Sequence, residues 1–164
     1  MKKIVIMLCV ALPIAASSGM AAEQVKIERT GAREMADKDA IKITNKDAWT
    51  LYEKYLQGWN STSDEIRKKV AAEVTADNFQ YRTRNHDLGG RPELLEDMAS
   101  FQRRFPGEHF EIGDVSSHHN VAQLTWVIIQ ADGKEAARGG DQITVDRNGK
   151  ISSVITFPPS TKTP

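Results

Sequence analysis

The chain has 164 residues, with 22 basic and 22 acidic side chains and a formal net charge of zero when histidine is neutral. This length predicts one domain, and the lack of a basic excess gives no support for nucleic acid as a partner. The single cysteine, Cys9, excludes an internal disulfide bond, so we expect the fold to be stabilised by its core.

The first 22 residues are predicted to be a secretory signal peptide. Two lysines precede an apolar run, 4–16, that is too short to span a bilayer, and small residues then lead to cleavage after Ala21 or Ala22. A buried N-terminal helix or a retained anchor is the alternative. Cleavage would remove Cys9 and two basic residues, which leaves a net charge of −2 and no membrane anchor. We therefore expect an exported protein, periplasmic or secreted.

An N-terminal arm and three helices are predicted next along the chain. Residues 23–44 are polar and weakly periodic, so we expect them to lie outside the core. Apolar residues then recur at three- and four-residue steps over 44–60, 61–74 and 91–105, which predicts three amphipathic helices. Their expected buried stripes are Ala48, Leu51, Tyr52, Tyr55, Leu56 and Trp59, then Ile66, Val70 and Val74, then Leu94, Leu95, Met98, Phe101 and Phe105.

The helix starts carry local signals of their own. Thr44 with Asp47 and Thr62 with Glu65 have the three-residue spacing at which a side chain and a main-chain N–H can cap each other. Pro92 suits the first turn of the third helix, where its missing N–H costs nothing. The sequence therefore predicts where each of the three helices begins.

Five strands complete the predicted fold. One run, 77–84, lies between the second and third helices and alternates Phe79 and Tyr81 with polar neighbours. Four β-rich runs follow the third helix, and Asp132-Gly133 and Asn148-Gly149 are strong hairpin signals between them. Helix, helix, strand, helix and then a strand meander is an α+β pattern, in which helices pack on one face of an antiparallel sheet.

Two-residue loops at these turns would fix the register of the last three strands. Counting back from the second turn places Asp141 opposite Thr156. Counting back from the first turn places Leu124 opposite Asp141 and Trp126 opposite Gly139. Directly opposed residues share a face of the sheet. One face therefore collects Leu124, Trp126, Ile128, Asp141, Ile143, Val145, Val154 and Thr156, and the other collects Val127, Ile129, Ile155 and Phe157 among polar residues.

Asp141 is the one acid on the first, largely apolar face, where an ionised carboxylate is costly unless it is paired or solvated. Three interpretations remain open: a structural carboxylate bonded to an Arg, a Tyr or a backbone N–H; the floor of a wet pocket; or a catalytic base in that pocket. Gly139 leaves room opposite it for the Trp126 indole or for a ligand, unless the Gly139-Gly140 pair forms a bulge. Asp141 is the candidate catalytic residue.

A set of short motifs occurs in a fixed order over about 48–157. They are Trp59-Asn60, G-R-P-E-L-L at 90–95, F-P-G at 105–107, His118-His119, Trp126, G-G-D at 139–141, N-G-K-I at 148–151 and Phe157. With these motifs the sequence resembles the nuclear-transport-factor-2-like superfamily, and more closely its SnoaL-like, polyketide-cyclase-like branch. The resemblance implies a cone-shaped α+β domain at 45–158, with three helices on a curved antiparallel sheet and a flexible tail at 159–164.

Such a cone encloses a pocket, which identifies further candidate ligand-binding residues. Tyr81 and Arg84 continue from the first strand and are able to donate hydrogen bonds to a ligand, although Arg84 is equally able to pair with Asp141. His118 and His119 are adjacent, so in a strand their rings would point to opposite faces and would not share one metal. The candidate ligand-binding residues are Trp126, Tyr81, Arg84, His118, Tyr55 and Trp59. We find no motif for a metal or a cofactor.

The resemblance also implies a small, largely apolar organic ligand and, in many relatives, a homodimer. Enzymes of this superfamily isomerise, cyclise, dehydrate or hydrolyse small molecules with different residues, and no complete catalytic set is legible here. Two functions stay open: acid/base chemistry of isomerase, cyclase or dehydratase type through Asp141, and a non-catalytic dimeric binding or interaction module. A sizeable cavity with convergent polar groups would favour the first, and a filled cone the second.

Overall fold

The computed structural model describes residues 41–158. The predicted signal peptide, Cys9, most of the predicted arm and the predicted tail lie outside this range. The described elements are α1 Asn45–Trp59, α2 Asp64–Val74, β1 Thr75–Arg82, α3 Arg91–Arg104, β2 His109–His118, β3 Val121–Ile129, β4 Glu135–Val145 and β5 Ile151–Phe157. None of the helices within 41–158 has the length and apolar character needed to cross a membrane.

The strands form one open sheet in the order β1-β5-β4-β3-β2. Antiparallel pairing joins β2 through β5, whereas β1 pairs with β5 in parallel. A parallel pair needs a long connection, which α3 and the other three strands provide here. The helices pack on one face of the sheet, the inner face, and share a single core with it. The predicted α+β class, with helices on one face of a curved sheet, is confirmed.

Both hairpins of the last three strands have three-residue loops rather than the two-residue loops that the sequence predicts. The main-chain N–H groups of Gln130 and Asp146 donate to the carbonyl oxygens four positions later, which leaves three residues in each loop. The last loop residue is Gly133 in one hairpin and Gly149 in the other, with φ values of 82° and 75°. Glycine adopts this left-handed conformation without a steric penalty, so the glycines end the loops.

One extra residue in each following strand compensates for the longer loop. The pairing shifts by one position between Ile128 and Ile129 and between Thr144 and Val145, so Val145 faces Ile151 rather than Ser152. Beyond these shifts the predicted register is present, and no bulge occurs at Gly139-Gly140. The predicted pairs that the structure contains are Leu124–Asp141, Trp126–Gly139, Asp141–Thr156 and Ile143–Val154.

The first helix begins where the capping signal predicts, and the second begins one residue later than predicted. In α1 the Thr44 hydroxyl accepts from the Asp47 N–H at 3.1 Å, and the Asp47 carboxylate accepts from the Thr44 N–H at 3.1 Å. In α2 the N-cap is Ser63 rather than Thr62, so the predicted Thr62–Glu65 capping box is wrong. Ser63 takes this position because its hydroxyl accepts from the N–H three residues ahead.

The second helix also buries a different stripe from the one predicted. Ile66 is 49% exposed, whereas Arg67 is buried beside Val70 and Val74. The guanidinium of Arg67 pairs with Asp64 and donates to the carbonyl oxygen of Ser61 at 2.6 Å. These partners satisfy the buried charge locally, which allows a polar side chain to occupy an inward position.

Candidate functional site

Asp141 lies on β4 at the inner face and is only 4% exposed. Its carboxylate is held from two elements: Oδ2 accepts from the Tyr52 hydroxyl of α1 at 2.9 Å, and Oδ1 accepts from the Trp126 indole N–H of β3 at 3.1 Å. The hydroxyl of Thr156, directly opposite on β5, contributes a further hydrogen bond. All three donors are neutral groups.

Burial raises the pKa of Asp141 from 3.8 to about 6, because the lost hydration outweighs the hydrogen bonds from Tyr52, Thr156 and Trp126, which act in the opposite direction. The ion pairs formed within residues 41–158 do not include this carboxylate. Arg84, the cation that the sequence allowed as its partner, is exposed. Asp141 is therefore a buried carboxyl that exchanges its proton close to neutral pH.

Three tyrosines fill the space above Asp141. Tyr52, Tyr55 and Tyr81 are almost fully buried, and the rings of Tyr52 and Tyr55 stack with centroids 5.4 Å apart. Burial and the nearby Asp141 charge raise the pKa of Tyr52 and Tyr55 well above the usual value, and burial likewise raises the pKa of Tyr81. Their hydroxyls therefore stay protonated near neutral pH and serve as donors to anionic oxygen.

A second carboxylate faces the tyrosines from the other side. The Tyr81 hydroxyl donates to Oδ2 of Asp97 on α3 at 3.2 Å. Nε2 of His86, in the loop after β1, lies 3.3 Å from the same oxygen, but it is buried and makes no hydrogen bond to any described residue. Asp97 retains about a quarter of its side-chain exposure. The tyrosines thus lie between a dry carboxylate and a partly hydrated one.

The space opposite Gly139 is taken by the Trp126 indole. A Cβ on Gly139 would lie 2.3 Å from Cζ2 of that ring, so only glycine leaves the room that the indole occupies. The indole packs edge-on against Phe110 of β2 with centroids 5.4 Å apart, and Trp59 and Phe101 pack against the same Phe110 ring. Trp126 therefore connects Asp141 to an aromatic cluster at the α1–β2 side of the fold.

A cleft of about 460 Å³ opens at this side, between α1 and the edge strand β2. Phe110 and Ile112 form part of its wall and point to the inner face, since they pair with Ile128 and Trp126. The volume is within the usual range for a small-molecule site, about 300–1,000 Å³. The side cleft, as we call it, is lined by Trp49, Glu53, Leu56, Gln57, Asn60, Phe110, Glu111 and Ile112.

The structure brings together four of the seven residues proposed from the sequence. Asp141, Trp126, Tyr55 and Tyr81 lie in one buried region, and Trp59 lies in the adjoining aromatic cluster. Arg84 is exposed in the loop after β1, and His118 is exposed at the end of β2. The described residues contain no group of three or more His, Cys, Asp or Glu that is arranged to hold a metal ion.

Two features of the site were missed at the level of sequence. Tyr52 was assigned to the buried stripe of the first helix, but its role as a donor to Asp141 depends on a contact 89 positions along the chain. The side cleft is lined by polar residues of α1, such as Glu53 and Gln57, that read as an ordinary solvated face. The only available signal was the wide aromatic stripe of α1, which includes Trp49, a residue that remains 40% exposed.

No family model and no curated protein matches the sequence. Solved structures do match it. One is a candidate isomerase of the SnoaL-like family from Agrobacterium tumefaciens strain C58, with 26% identity over 70% of this chain and 99% of its own, and a TM-score of 0.64. The match therefore extends over nearly the whole length of the Agrobacterium protein.

Two more distant structures have the same fold. A nuclear-transport-factor-2-like protein of unknown function from Exiguobacterium sp. 255-15 is 14% identical over 68% of this chain and 99% of its own, with a TM-score of 0.55. A candidate ketosteroid isomerase from Kribbella flavida DSM 17836 is 20% identical over 73% and 82% of the two chains, with a TM-score of 0.53. At these identities the likeness concerns the fold alone. Together with the SnoaL-like structure, these matches confirm the resemblance found in the sequence.

Proposed function

The chain belongs to the nuclear-transport-factor-2-like superfamily, and on that premise we propose that it binds a small, largely apolar molecule and moves a proton on it through Asp141. The reaction class is that of an isomerase, cyclase or dehydratase, in which a carbon–hydrogen or oxygen–hydrogen bond is broken by a general base. Two of the similar structures are candidate isomerases, which supports this class.

One observation carries the proposal: Asp141 is buried among neutral donors, with its pKa raised to about 6. The hydrogen bond from Tyr52 also fits the structural alternative. The direction of the pKa shift favours a base, because a structural ion pair with an arginine would lower the pKa of Asp141, whereas burial raises it. General bases work best when their pKa is close to the operating pH. A carboxyl group with a pKa of about 6 therefore suits proton transfer near neutral pH better than one with a pKa of about 4. Tyr55, whose ring stacks on that of Tyr52, adds a donor for a developing oxyanion.

The ligand enters through the side cleft. The cleft wall at Phe110 and Ile112 lies against Trp126, whose indole N–H occupies one oxygen of Asp141. A ligand that moves the indole aside reaches Oδ1 while Tyr52 still holds Oδ2. The apolar wall and the exposed face of Trp49 favour an apolar or aromatic molecule.

The proposal is tested with Asp141→Asn and with Asp97→Asn as the matched control, since both carboxylates accept a tyrosine hydroxyl. The probe is cyclohex-3-enone, whose conversion into the conjugated enone is followed by ultraviolet absorbance. We expect Asp141→Asn to lose about 10²–10⁴-fold in rate, the usual contribution of a general base, and Asp97→Asn to retain the wild-type rate within a few-fold. Equal rates in wild type and Asp141→Asn would contradict the proposed role.

Binding is tested separately from chemistry. N-phenyl-1-naphthylamine, a neutral fluorophore, should brighten on addition to the wild type, and Ile112→Glu should abolish this change by placing a charge in the cleft wall. Glu108→Gln, at a partly exposed position before β2, is the control. Mass spectrometry of molecules that copurify with the native protein would identify the ligand. A fluorophore that binds Ile112→Glu as well as wild type would place the site elsewhere.

A dimeric interaction module is the second candidate, and it is favoured by the tyrosines and the Trp126 indole that fill the interior next to Asp141. On the outer face of the sheet Phe157 is 51% exposed, and Val127, Ile129 and Ile155 are only partly buried. Apolar patches of this kind mark contact surfaces, so we propose that two copies pair through the outer face. A Val127→Glu/Ile155→Glu variant should be folded and monomeric. Sedimentation of the wild type as a monomer at micromolar concentration would exclude this interface.

We also propose that the protein acts outside the cytoplasm, because residues 1–22 have the pattern of a cleavable export signal. N-terminal sequencing of the exported chain should then find Ala22 or Glu23 as the first residue. Recovery of an intact Met1 in a membrane fraction would show that the segment is retained.

A further inference from the structure

Two adjacent histidines at the turn between β2 and β3 have their rings side by side. His118 is the last residue of β2, and His119 begins the turn. Their Nδ1 atoms are 3.2 Å apart and the ring planes are nearly perpendicular, at 86°. The expectation that the rings point to opposite faces is wrong, because it assumed that both residues lie in a strand.

The cause is the backbone of His119, whose φ of 52° lies in the left-handed region. It is the one described residue other than glycine with a positive φ. This conformation turns the His119 side chain back toward His118, so that both Nδ1 atoms lie on one side of the turn. A residue with a β-carbon adopts the left-handed region at a cost, which the surrounding contacts must offset.

Those contacts hold the turn from two directions. The His119 carbonyl oxygen accepts from the Ile43 N–H at 2.8 Å, just before α1. Asn120 exchanges hydrogen bonds with Val145 on β4: the Val145 N–H donates to the Asn120 carbonyl oxygen at 2.8 Å, and the Asn120 side-chain amide donates to the Val145 carbonyl oxygen at 3.1 Å. The main chain that carries both imidazole rings is therefore held by the fold rather than by a free loop.

We propose that His118 and His119 form a two-imidazole binding site for a divalent metal ion, with Zn²⁺ as its preferred occupant. Zn²⁺ lies about 2.0–2.1 Å from imidazole nitrogen, so two nitrogens 3.2 Å apart subtend an angle of about 100–106° at the metal, close to the tetrahedral value. Cu²⁺ and Ni²⁺ share the preference for imidazole. Without metal, the Nδ1–H of one ring donates to Nδ1 of the other. When the metal ion binds, the donating ring carries its proton on Nε2 instead, so that both Nδ1 atoms offer a lone pair.

Both rings are exposed, so water completes the coordination of the metal ion. The site therefore differs from a closed structural zinc site with four protein ligands. A bound metal ion would link the end of β2 to the turn whose carbonyl oxygen accepts the Ile43 N–H. Ser117, next to His118, also holds this region: its hydroxyl donates to Asn45 Oδ1 at 2.6 Å. Metal binding should thus raise the melting temperature of the native chain.

The test uses the untagged full chain, freed of metal by chelator and titrated with zinc chloride in a calorimeter. His118→Asn and His119→Asn each remove one imidazole, and asparagine tolerates the left-handed conformation at 119. The control is His109→Asn, since His109 is partly exposed on the same strand and its Nε2 lies 3.2 Å from the Glu111 carboxylate, away from the turn. The four histidines of the chain, His86 included, allow this contrast within one protein.

We expect the wild type and His109→Asn to bind one Zn²⁺ per chain with the same affinity and the same rise in melting temperature. Each variant at 118 or 119 should bind at least about tenfold more weakly, since even the loss of a group behind the ligands costs that much. In ¹⁵N spectra of the imidazoles, both Nδ1 signals should shift together on addition of Zn²⁺. Unchanged affinity in His119→Asn, or a shift of Nε2 instead of Nδ1, would overturn the proposal.

Discussion

Two carboxylates in the interior, Asp141 and Asp97, accept the same kind of hydrogen bond in different surroundings. Each is bonded to a buried tyrosine, Tyr52 at 2.9 Å and Tyr81 at 3.2 Å. Asp141 lies on a central strand with a second neutral donor, the Trp126 indole, and almost no contact with water. Asp97 lies on a helix, keeps part of its exposure and faces His86 at 3.3 Å.

The difference shows that a hydrogen bond from tyrosine does not by itself decide what a carboxylate can do. Hydration and the charge of the neighbours set the cost of ionisation. At Asp141 burial dominates and raises the pKa to about 6. Asp97, by contrast, keeps contact with solvent and lies 3.3 Å from His86. The arrangement at Asp141 suits a group that must take up and release a proton near neutral pH.

The largest expected effect that separates the two carboxylates is on the pH dependence of stability. The pKa of Asp141 is about 6 in the folded chain and near 3.8 when it is unfolded, so the folded state binds more protons between these values. The free energy of unfolding that the protonated Asp141 carboxyl contributes is therefore fully present below pH 3.8 and is lost as the pH rises through about 6. Between pH 4 and pH 7 the wild type should lose about 2–3 kcal/mol relative to Asp141→Asn.

This pH prediction is checked by urea unfolding of both proteins across that range. Asp97→Asn is the control, and it should keep the pH-dependent loss of the wild type because Asp141 is still present. If Asp141→Asn and wild type followed parallel pH profiles, the Asp141 carboxyl would not be the source of the effect.

The next largest effect on stability is expected from disturbing the Trp126 indole, which donates a hydrogen bond to Asp141 but not to Asp97. Gly139→Ala places a methyl group 2.3 Å from the indole and 2.8 Å from the Phe157 carbonyl oxygen. The indole or the strand must shift, and we expect a loss of about 2 kcal/mol by thermal or urea unfolding. Gly140→Ala, where the nearest atom would be the Leu124 carbonyl oxygen at 3.2 Å, should cost less. Equal losses would mean that the close approach of the indole adds nothing to the cost of a methyl group at Gly139.

A smaller effect compares the two tyrosine hydroxyls directly. Tyr52→Phe removes a donor from a buried carboxylate and should cost about 1.5 kcal/mol in free energy of unfolding. It should also raise the Asp141 pKa further, since the hydrogen bond from Tyr52 lowers it. Tyr81→Phe should cost less, because water can replace the hydroxyl at Asp97. NMR titration of Asp141 checks the pKa change, and a larger loss in Tyr81→Phe would reverse the comparison.

The smallest effect is expected at His86. Its Nε2 approaches Asp97 at 3.3 Å without a hydrogen bond, and both side chains are partly exposed. His86→Asn should therefore cost less than about 1 kcal/mol in a thermal unfolding experiment, as partly exposed ion pairs usually do. A loss above 2 kcal/mol would show instead that His86 holds the loop after β1 in place.

Much of the Asp141 environment was predictable from sequence because strand register depends on local turn signals. The hairpin dipeptides placed Leu124 and Thr156 beside Asp141 even though the loops have three residues instead of two. The prediction succeeded because each longer loop is followed by an extra residue in the next strand, which restores the pairing. The prediction that Ile66 is buried was wrong. The N-cap of α2 lies one residue later than predicted, and the helix buries Arg67 in place of Ile66.

The sequence by itself determined the order of elements, the face of the sheet on which Asp141 lies and the family resemblance. Periodicity and turn residues encode these features within short stretches of chain. The tertiary structure alone decided that Tyr52 rather than Arg84 faces Asp141, and that a side cleft opens between α1 and β2. Both features depend on how elements that are far apart in sequence pack against each other. No periodicity in the sequence indicates which distant residues such packing brings into contact.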